Sequence, residues 1–304
     1  MELIKSIFEN KFKEKLISNI SSCFPNTTPA LEFYFENKFE PGFCNALIKD
    51  SEIVSSVQVL PQEIILAGHS FTAKYIYAAA TSPNFRRKGY MKKLLDFTAN
   101  NEKNKDTDFL FLVPCCKSIE KYYEKLGYEN FFKVRKIIFS QEEFKKFLVK
   151  NSCLDFKNFP KSSSNAKHVE KIRNMVYNNK NYVKYNEKDL HYAINFYNNF
   201  YGGKFVISDG GFAICFFQSN GVLKTEDFCT KNFEDSKKLL SLIYREFPDC
   251  SEYHFNVCAE NQFFKPYGNL EFYGMIKPLN SNAEQIVLAL KEANEFPYLG
   301  IPLD

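Results

Sequence analysis

A mixed α/β architecture, built twice in succession, is the fold class this sequence predicts. Three observations carry it. Short apolar runs of strand character alternate with segments of helical spacing along the 304 residues. The order hairpin, strand, helix, strand, strand recurs in both halves. Between the halves, Asn151 to Ala166 contains Pro160 and Ser162-Ser163-Ser164 and follows neither periodicity. At roughly 150 residues per domain, the length alone asks for two domains. The expected division is a first domain over 1–145, a linker over 146–166 and a second domain over 167–304.

The elements follow in order. Ile7 to Ile20 has apolar residues at helical spacing. Cys44 to Ile48 and Glu52 to Leu60 read as strands joined at Lys49-Asp50-Ser51, and Glu63 to Leu66 and Lys74 to Thr81 as two more hinged at Gly68-His69. Lys88 to Asn100 is helical, with Met91, Leu94, Leu95 and Thr98 on one face. Asp108 to Val113 is a continuous apolar run, as a strand buried on both faces requires. Ser118 to Leu126 is a short helix, with Ser118 as N-cap and Gly127 just beyond its end. Tyr128 to Phe139 returns as a strand. In the second half, His168–Tyr177 and Glu187–Tyr201 are helical, and Lys204–Asp209 and Phe212–Gln218 form a hairpin. Gly221–Cys229 is a strand, Phe233–Phe247 an amphipathic helix, and Tyr253–Cys258 and Leu270–Ile276 the last strands. The halves share this order with negligible sequence identity, so the repeat is one of topology. Each domain is expected to hold a mixed, mostly antiparallel twisted sheet with flanking helices.

Composition excludes several classes. Hydrophobic residues make up 45% and charged residues 25%, which suits a packed globular protein and excludes global disorder. The 40 Lys and Arg exceed the 36 Asp and Glu by only four, too small and too even a surplus for a nucleic-acid protein. The apolar runs, such as Phe109 to Val113, are far shorter than a membrane span, and the N-terminus has no apolar stretch of the secretory kind. No membrane association is expected. Nine cysteines form no CxxC pair and no Cys/His zinc pattern, so no metal is expected. Most of them read as small buried hydrophobes in a reducing cytoplasm.

The most informative stretch is Lys74 to Leu95, where a strand leads through Arg86-Arg87-Lys88-Gly89-Tyr90-Met91 into a helix. A helix N-terminus presents unpaired N–H groups and a partial positive charge. Arg86, Arg87 and Lys88 add cationic charge there, and Gly89 removes the side chain where a bulky anion approaches the backbone. Neither GxxxxGK[ST] nor GxGxxG is present.

Arg86-x-x-Gly89-x-Met91 after an apolar strand resembles the acetyl-CoA pyrophosphate loop of the GCN5-related N-acetyltransferases (GNAT), usually written [QR]-x-x-G-x-[GA]. Met91 departs from the usual small residue. Further on, Pro114 closes a strand and Tyr122-Tyr123-Glu124-Lys125-Leu126-Gly127-Tyr128 is similar to the family's FYEKLGF ending. The resemblance covers about residues 25–140. The wider stretch YIYAAATSPNFRRKGYM resembles the tandem group that contains the Eis (enhanced intracellular survival) acetyltransferases. Those carry a further sterol-carrier-like domain, for which this chain is too short. The second half resembles the degenerate GNAT-like domain of tandem members. Its loop region reads Lys224-Thr225-Glu226-Asp227, and two carboxylates there would repel a pyrophosphate. That half is not expected to bind coenzyme A.

The resemblance implies roles. Ala79, Ala80 and Thr81 would pair with the pantetheine arm, small side chains allowing close approach; packing against a helix is the other reading. Arg86, Arg87, Lys88, Gly89, Tyr90, Met91 and Lys92 would hold the pyrophosphate. Tyr123 would hydrogen-bond the thiolate sulfur and act as general acid, or else be a core aromatic; Tyr122 adjoins it. Ser118 would touch the coenzyme arm or only cap a helix. In the Eis group the chain's own C-terminal carboxylate reaches the active site, which here would be Asp304. Glu32, Glu36 and Glu40 are other candidate bases, though solvated surface charges are commoner. His69, at a strand turn, reads as exposed or structural, and His168, His191 and His254 carry no motif. Phe33-Tyr34-Phe35 would line an apolar part of an acceptor pocket or pack in the core. Cys115 and Cys116 have no nearby His or Asp partner for a covalent mechanism.

The expected function is therefore direct acetyl transfer from acetyl-CoA to a primary amine of a small molecule or peptide. The alternative is a non-catalytic acetyl-CoA-binding sensor or scaffold. The acceptor stays open among peptide amines, lysine side chains, polyamines and amino sugars, aminoglycosides included. GNAT proteins often self-associate, which leaves a homo-oligomer open.

Overall fold

The computed structural model describes residues 2–8, 10–24, 28–155, 165–219 and 221–301. In chain order the first elements are β1 (Glu2–Ser6), α1 (Lys13–Ser21), α2 (Thr28–Asn37), β2 (Cys44–Lys49), β3 (Glu52–Leu66), β4 (His69–Thr81), α3 (Tyr90–Lys103), β5 (Phe109–Leu112) and α4 (Lys117–Glu124). Then come β6 (Glu129–Ser140), α5 (Gln141–Lys150), α6 (Ala166–Val176), β7 (Tyr182–Lys184), α7 (Glu187–Asn199), β8 (Lys204–Ser208), β9 (Gly211–Ser219) and β10 (Val222–Thr230). The last are α8 (Phe233–Glu246), β11 (Glu252–Cys258), β12 (Asn269–Pro278) and α9 (Ser281–Glu292).

The chain divides into two compact units. Unit 1 runs to Phe131 and resumes over Gly274–Phe296, and unit 2 holds Phe132–Tyr273 and Pro297–Ile301. In unit 1 the strand order is β1-β2-β3-β4-β5 and then the end of β12. The β4–β5 pair is parallel and the others are antiparallel. Alternation along the strands gives the sheet two apolar faces. Val57, Ile76, Leu110, Leu112 and Met275 meet Leu94 and Leu95 of α3 and Tyr123 of α4 in one buried cluster. On the opposite face, Tyr77 packs on Tyr34 of α2 at 5.6 Å between ring centroids, and Tyr75 stacks on Phe111 at 5.1 Å. Each such side chain, fully buried, contributes about 1.5–3 kcal/mol.

In unit 2 the order is β6-β11-β10-β9-β8, with β10–β11 parallel and the rest antiparallel. Its core joins Phe144 and Phe147 of α5, Leu239, Leu240 and Ile243 of α8, and Tyr253 and Phe255 of β11. Each unit thus holds an antiparallel strand, a parallel pair linked through a helix, and a final antiparallel strand. In unit 1 that final strand, Met275–Pro278 facing Phe109–Leu112, comes from the far end of the chain. In unit 2 it is β6, Val134–Ser140 facing Glu252–Cys258.

Several elements differ from expectation. The helix expected from Ile7 begins at Lys13, because Glu2–Ser6 pairs with Asn45–Lys49 as an edge strand and Ile7 N–H donates to Cys44 O. The strands expected at Glu52–Leu60 and Glu63–Leu66 are one, since Pro61 keeps its register opposite Lys74. Residues 141–150 form α5, opened by a reciprocal cap between Ser140 and Glu143. Of the expected linker, 156–164 lie outside the described residues.

Candidate active site

The β4–β5 register ends at Tyr75↔Phe111, and beyond it β4 continues to Thr81 while β5 stops at Leu112. A bulge accompanies this parting. Ser56 faces Ala80 and Gln58 faces Tyr77, so Ala78 and Ala79 lie opposite Val57 alone. Ala78 takes φ 47°, a left-handed conformation that a small side chain tolerates best. The sequence reading did not find this bulge; the run Ala78-Ala79-Ala80 inside a strand is its only signal. The three expected pantetheine contacts fall on different ground. Ala80 is buried and its carbonyl accepts from Ser55 Oγ at 3.0 Å. Thr81 O accepts from Cys23 Sγ at 3.1 Å and Arg86 Nε at 3.2 Å. Ala79 is half-buried within the bulge, against the α3 core.

A buried polar network, also missed from sequence, fixes the end of β4. Asn19 of α1 donates to Ser82 Oγ at 2.7 Å and accepts from Ser56 Oγ at 2.7 Å. Ser55 Oγ and Thr81 Oγ1 are 2.9 Å apart. Two adjacent serines in an otherwise apolar strand were the available sign.

From Ser82 the chain makes a single 3₁₀ turn over Pro83–Phe85 and reaches Gly89, the N-cap of α3. Arg87 (φ 61°) and Gly89 (φ 77°) are both left-handed. A Cβ on Gly89 would meet nothing within 4 Å. Backbone conformation, rather than crowding within this chain, therefore selects glycine there. No side chain caps α3, and its first turn holds no acidic residue. The N–H groups of Tyr90, Met91 and Lys92 have no intrahelical acceptor. Arg86, Arg87, Lys88 and Lys92 are exposed around them. Tyr90 is buried with Leu47 and Val54, and Met91 packs against the α3 core. Only the main chain of these two is offered to a ligand. The donor set and the open space over Gly89 fit a polyanion.

On α4 the N-cap is Cys116, two residues before the expected Ser118, whose Oγ lies 3.1 Å from Cys116 Sγ. Tyr123 is 8% exposed, with Tyr122 and Tyr128 edge-on at 5.5 Å. Burial, with smaller contributions from Tyr122 and Cys115, pushes its phenol well above the ordinary range. Tyr123 is therefore a proton-bearing donor throughout the neutral range. Tyr122 is half-buried, and burial raises it too. Gly127 (φ 81°) closes α4, Tyr128 N–H returns to Tyr123 O, and Lys277 Nζ donates to Leu126 O at 2.8 Å.

Unit 2 repeats the geometry with different chemistry. Its parallel register ends at Thr225↔Phe255, and β10 is bulged with Asp227 at φ 46°. Glu226 and Asp227 are buried, not presented at the loop as expected. Asp227 accepts from Arg173 at 2.9 Å and Tyr177 at 3.0 Å; Glu226 meets Lys224 at 2.8 Å and Asn256 at 2.8 Å. The stronger contrast is length. Ser82 to Gly89 separates β4 from α3, whereas only Lys231 and Asn232 separate β10 from α8. Asn232 caps α8 through Asp235 N–H, and Glu234 and Asp235 occupy its first turn.

Of the remaining candidates, Tyr34 meets the bulge, its hydroxyl donating to Gln58 Oε1 at 3.0 Å. Glu32, Glu36 and Glu40 are exposed, Glu36 pairing with Lys13 at 3.7 Å. His69 is exposed at its turn. His168 Nε2 lies 3.2 Å from Ser208 O, His191 bonds Asn195 at 3.1 Å, and His254 bonds Glu252 at 2.6 Å. Tyr34 and Phe35 are buried, and Phe33 is half-buried. Asp304 lies outside the described residues. Among the described residues, no three His, Cys, Asp or Glu side chains are grouped to hold a metal ion, and no helix is long and apolar enough to cross a membrane.

Parting parallel strands beside an uncapped helix N-terminus ringed by basic side chains define the candidate site. Residues 5–131 match the family model described as an acetyltransferase (GNAT) domain. Solved structures extend the fold likeness to both units. A GCN5-related N-acetyltransferase from Kribbella flavida superposes at TM-score 0.70 and 13% identity, covering 93% of this chain and 72% of its own. One from Anabaena variabilis does so at 0.70 and 12%, covering 93% and 74%. Eis1 from Mycobacterium abscessus gives 0.65 and 9%, covering 94% and 76%. A comparison with curated protein sequences finds no match.

Proposed function

We propose that this protein transfers the acetyl group of acetyl-CoA directly to a primary amine of a small molecule or peptide, with no covalent enzyme intermediate. The observation that carries the reading is the parting of β4 from β5 at Tyr75↔Phe111, beside the uncapped N-terminus of α3. In this reading the amides of Arg87, Lys88, Gly89, Tyr90, Met91 and Lys92 hold the pyrophosphate, and Arg86, Arg87 and Lys88 neutralise it. The bulged Ala78–Ala79 backbone takes the pantetheine arm, with Ala80 and Thr81 fixing its course. Bound there, acetyl-CoA supplies the activated thioester. Unit 2, lacking a loop of that length, takes no coenzyme and serves as a scaffold. The setting is cytoplasmic.

Tyr123 has a defined part. An ordinary thiol has a pKa of about 8.5, below that of the raised phenol. Full proton transfer to the departing thiolate would run uphill. A hydrogen bond donated by Tyr123 to the sulfur stabilises the charge that develops there instead. The incoming amine, with a pKa of about 10.4 if lysine-like, reacts as its neutral minority.

Calorimetric titration with acetyl-CoA tests the reading, wild type against Gly89→Glu. The variant combines a strained φ with a carboxylate at the anion site. Micromolar binding by wild type and at least a hundredfold loss in the variant is expected. No binding by wild type would sink the proposal and favour a scaffold without coenzyme.

A further inference from the structure

The reading above leaves unused the two cysteines between β5 and α4. Cys115 and Cys116 are both exposed, with Sγ atoms 3.9 Å apart. Cys116 is the extended N-cap of α4, and its sulfur faces the Ser118 hydroxyl at 3.1 Å and the Ser118 and Ile119 amides. These donors stabilise a thiolate. The Ser118 hydrogen bond contributes most, and the thiol is lowered to about 7. Elsewhere Cys44, Cys153, Cys215, Cys229, Cys250 and Cys258 are buried, and burial pushes Cys44 and Cys215 to about 12 and Cys258 to about 11. Cys23 is half-buried. Cys115 contributes to the raised Tyr123 phenol, and in the reading given above Tyr123 stands at the thioester.

We propose that Cys116 is a thiol–disulfide exchange site for low-molecular-weight disulfides, and that its mixed disulfide closes the cleft to the coenzyme. The closure rests on the reading of the cleft given above; the exchange does not. Cys116 loses its proton to solvent and its thiolate attacks one sulfur of the disulfide. That S–S bond breaks as the new one forms, and the departing thiolate takes a proton from water. The balance is protein thiol plus disulfide giving protein mixed disulfide plus one free thiol, with no other oxidant. Cys115 does not resolve the adduct. Cα atoms across one trans peptide are about 3.8 Å apart, short of the roughly 4.4–6.8 Å that disulfides span. The adduct persists until an external thiol removes it.

The probe is dithiodipyridine, followed by thiopyridone release and by peptide mass mapping. One thiol per chain is expected to react ahead of the others and to map to Cys116 as a mixed disulfide. Cys116→Ser loses that phase and Cys115→Ser keeps it. Thiolate fraction and nucleophilicity act in opposite senses. Together they predict that Ser118→Ala slows the phase at pH 7 and slows it further at pH 6. A fast phase that survives Cys116→Ser, a Ser118→Ala rate unchanged at both pH values, or a mass two hydrogens lighter with no adduct overturns the exchange site. Calorimetry then reads the closure: acetyl-CoA binding lost on labelling and regained with added thiol supports it, and unchanged affinity overturns it. If unlabelled wild type does not bind acetyl-CoA, the coenzyme reading fails and the closure with it. The exchange site is then judged by Cys116→Ser and Ser118→Ala alone.

Discussion

Tyr123 sits in the α3–α4 core and at the proposed thioester at once, so its two roles separate by measurement. Tyr123→Phe keeps the ring and its packing on Tyr122 and Tyr128. Acetyl-CoA affinity is expected to stay within about twofold, and kcat to fall by about 10²–10³, the cost of one donor to a developing charge. Unchanged kcat would remove Tyr123 from the chemistry. Because burial raises the phenol, it keeps its proton beyond pH 10. The falling limb of a bell-shaped profile is then absent in the working range. With the amine reacting in its neutral form, kcat/KM rises about tenfold per pH unit to about pH 9. A plateau near pH 7 would reveal a base. The placement of Gly89 at the start of α3 and of Tyr123 within α4 was legible, because local signals set both. The thiolate character of Cys116 was not, since it depends on where α4 begins.

At the scale of elements, the end of β4 is held by side chains that little in the sequence marks. Asn19 is 3% exposed and ties α1 to both Ser56 and Ser82. Asn19→Ala strands the buried Ser56 hydroxyl, with an expected destabilisation of about 1–3 kcal/mol, read from the urea midpoint. Because Ser82 opens the α3 loop, acetyl-CoA affinity should weaken as well. A loss of stability with full affinity would confine the network to folding. Elements with strong local signals were legible: α3, β5, α4 and α8 lie close to their expected limits. β1 was not, because its pairing partner lies some forty residues away. The helix α2, with Phe33, Tyr34 and Phe35 in sequence, offers a weak amphipathic pattern and was not assigned.

At the scale of the molecule, the topological repeat was legible, but not the source of each unit's last strand. Backbone pairing is indifferent to distance along the chain, so composition gives no sign that Met275–Pro278 lies beside Phe109–Leu112. A fragment of residues 1–145 lacks that strand and α9 and leaves the core cluster without Met275 and Leu279. Such a fragment is expected to show no cooperative thermal unfolding, and a cooperative transition would contradict this. In unit 2, Arg173 is 1% exposed and binds Asp227, Val183 O and Leu299 O. Arg173→Met leaves Asp227 buried without its counter-charge. The expected loss is about 3–5 kcal/mol, from chemical denaturation.

The late arrival of β12 also sets a clock. A ribosome adding roughly 5–20 residues per second makes roughly 140 residues between Phe131 and the strand that completes the first sheet. For about 7 to 30 seconds, β5 waits with one edge bare. Nascent chains of this protein are therefore open to strand capture by a neighbour on the same message. Slower translation after Phe131 should lengthen that exposure and increase the share of aggregated product.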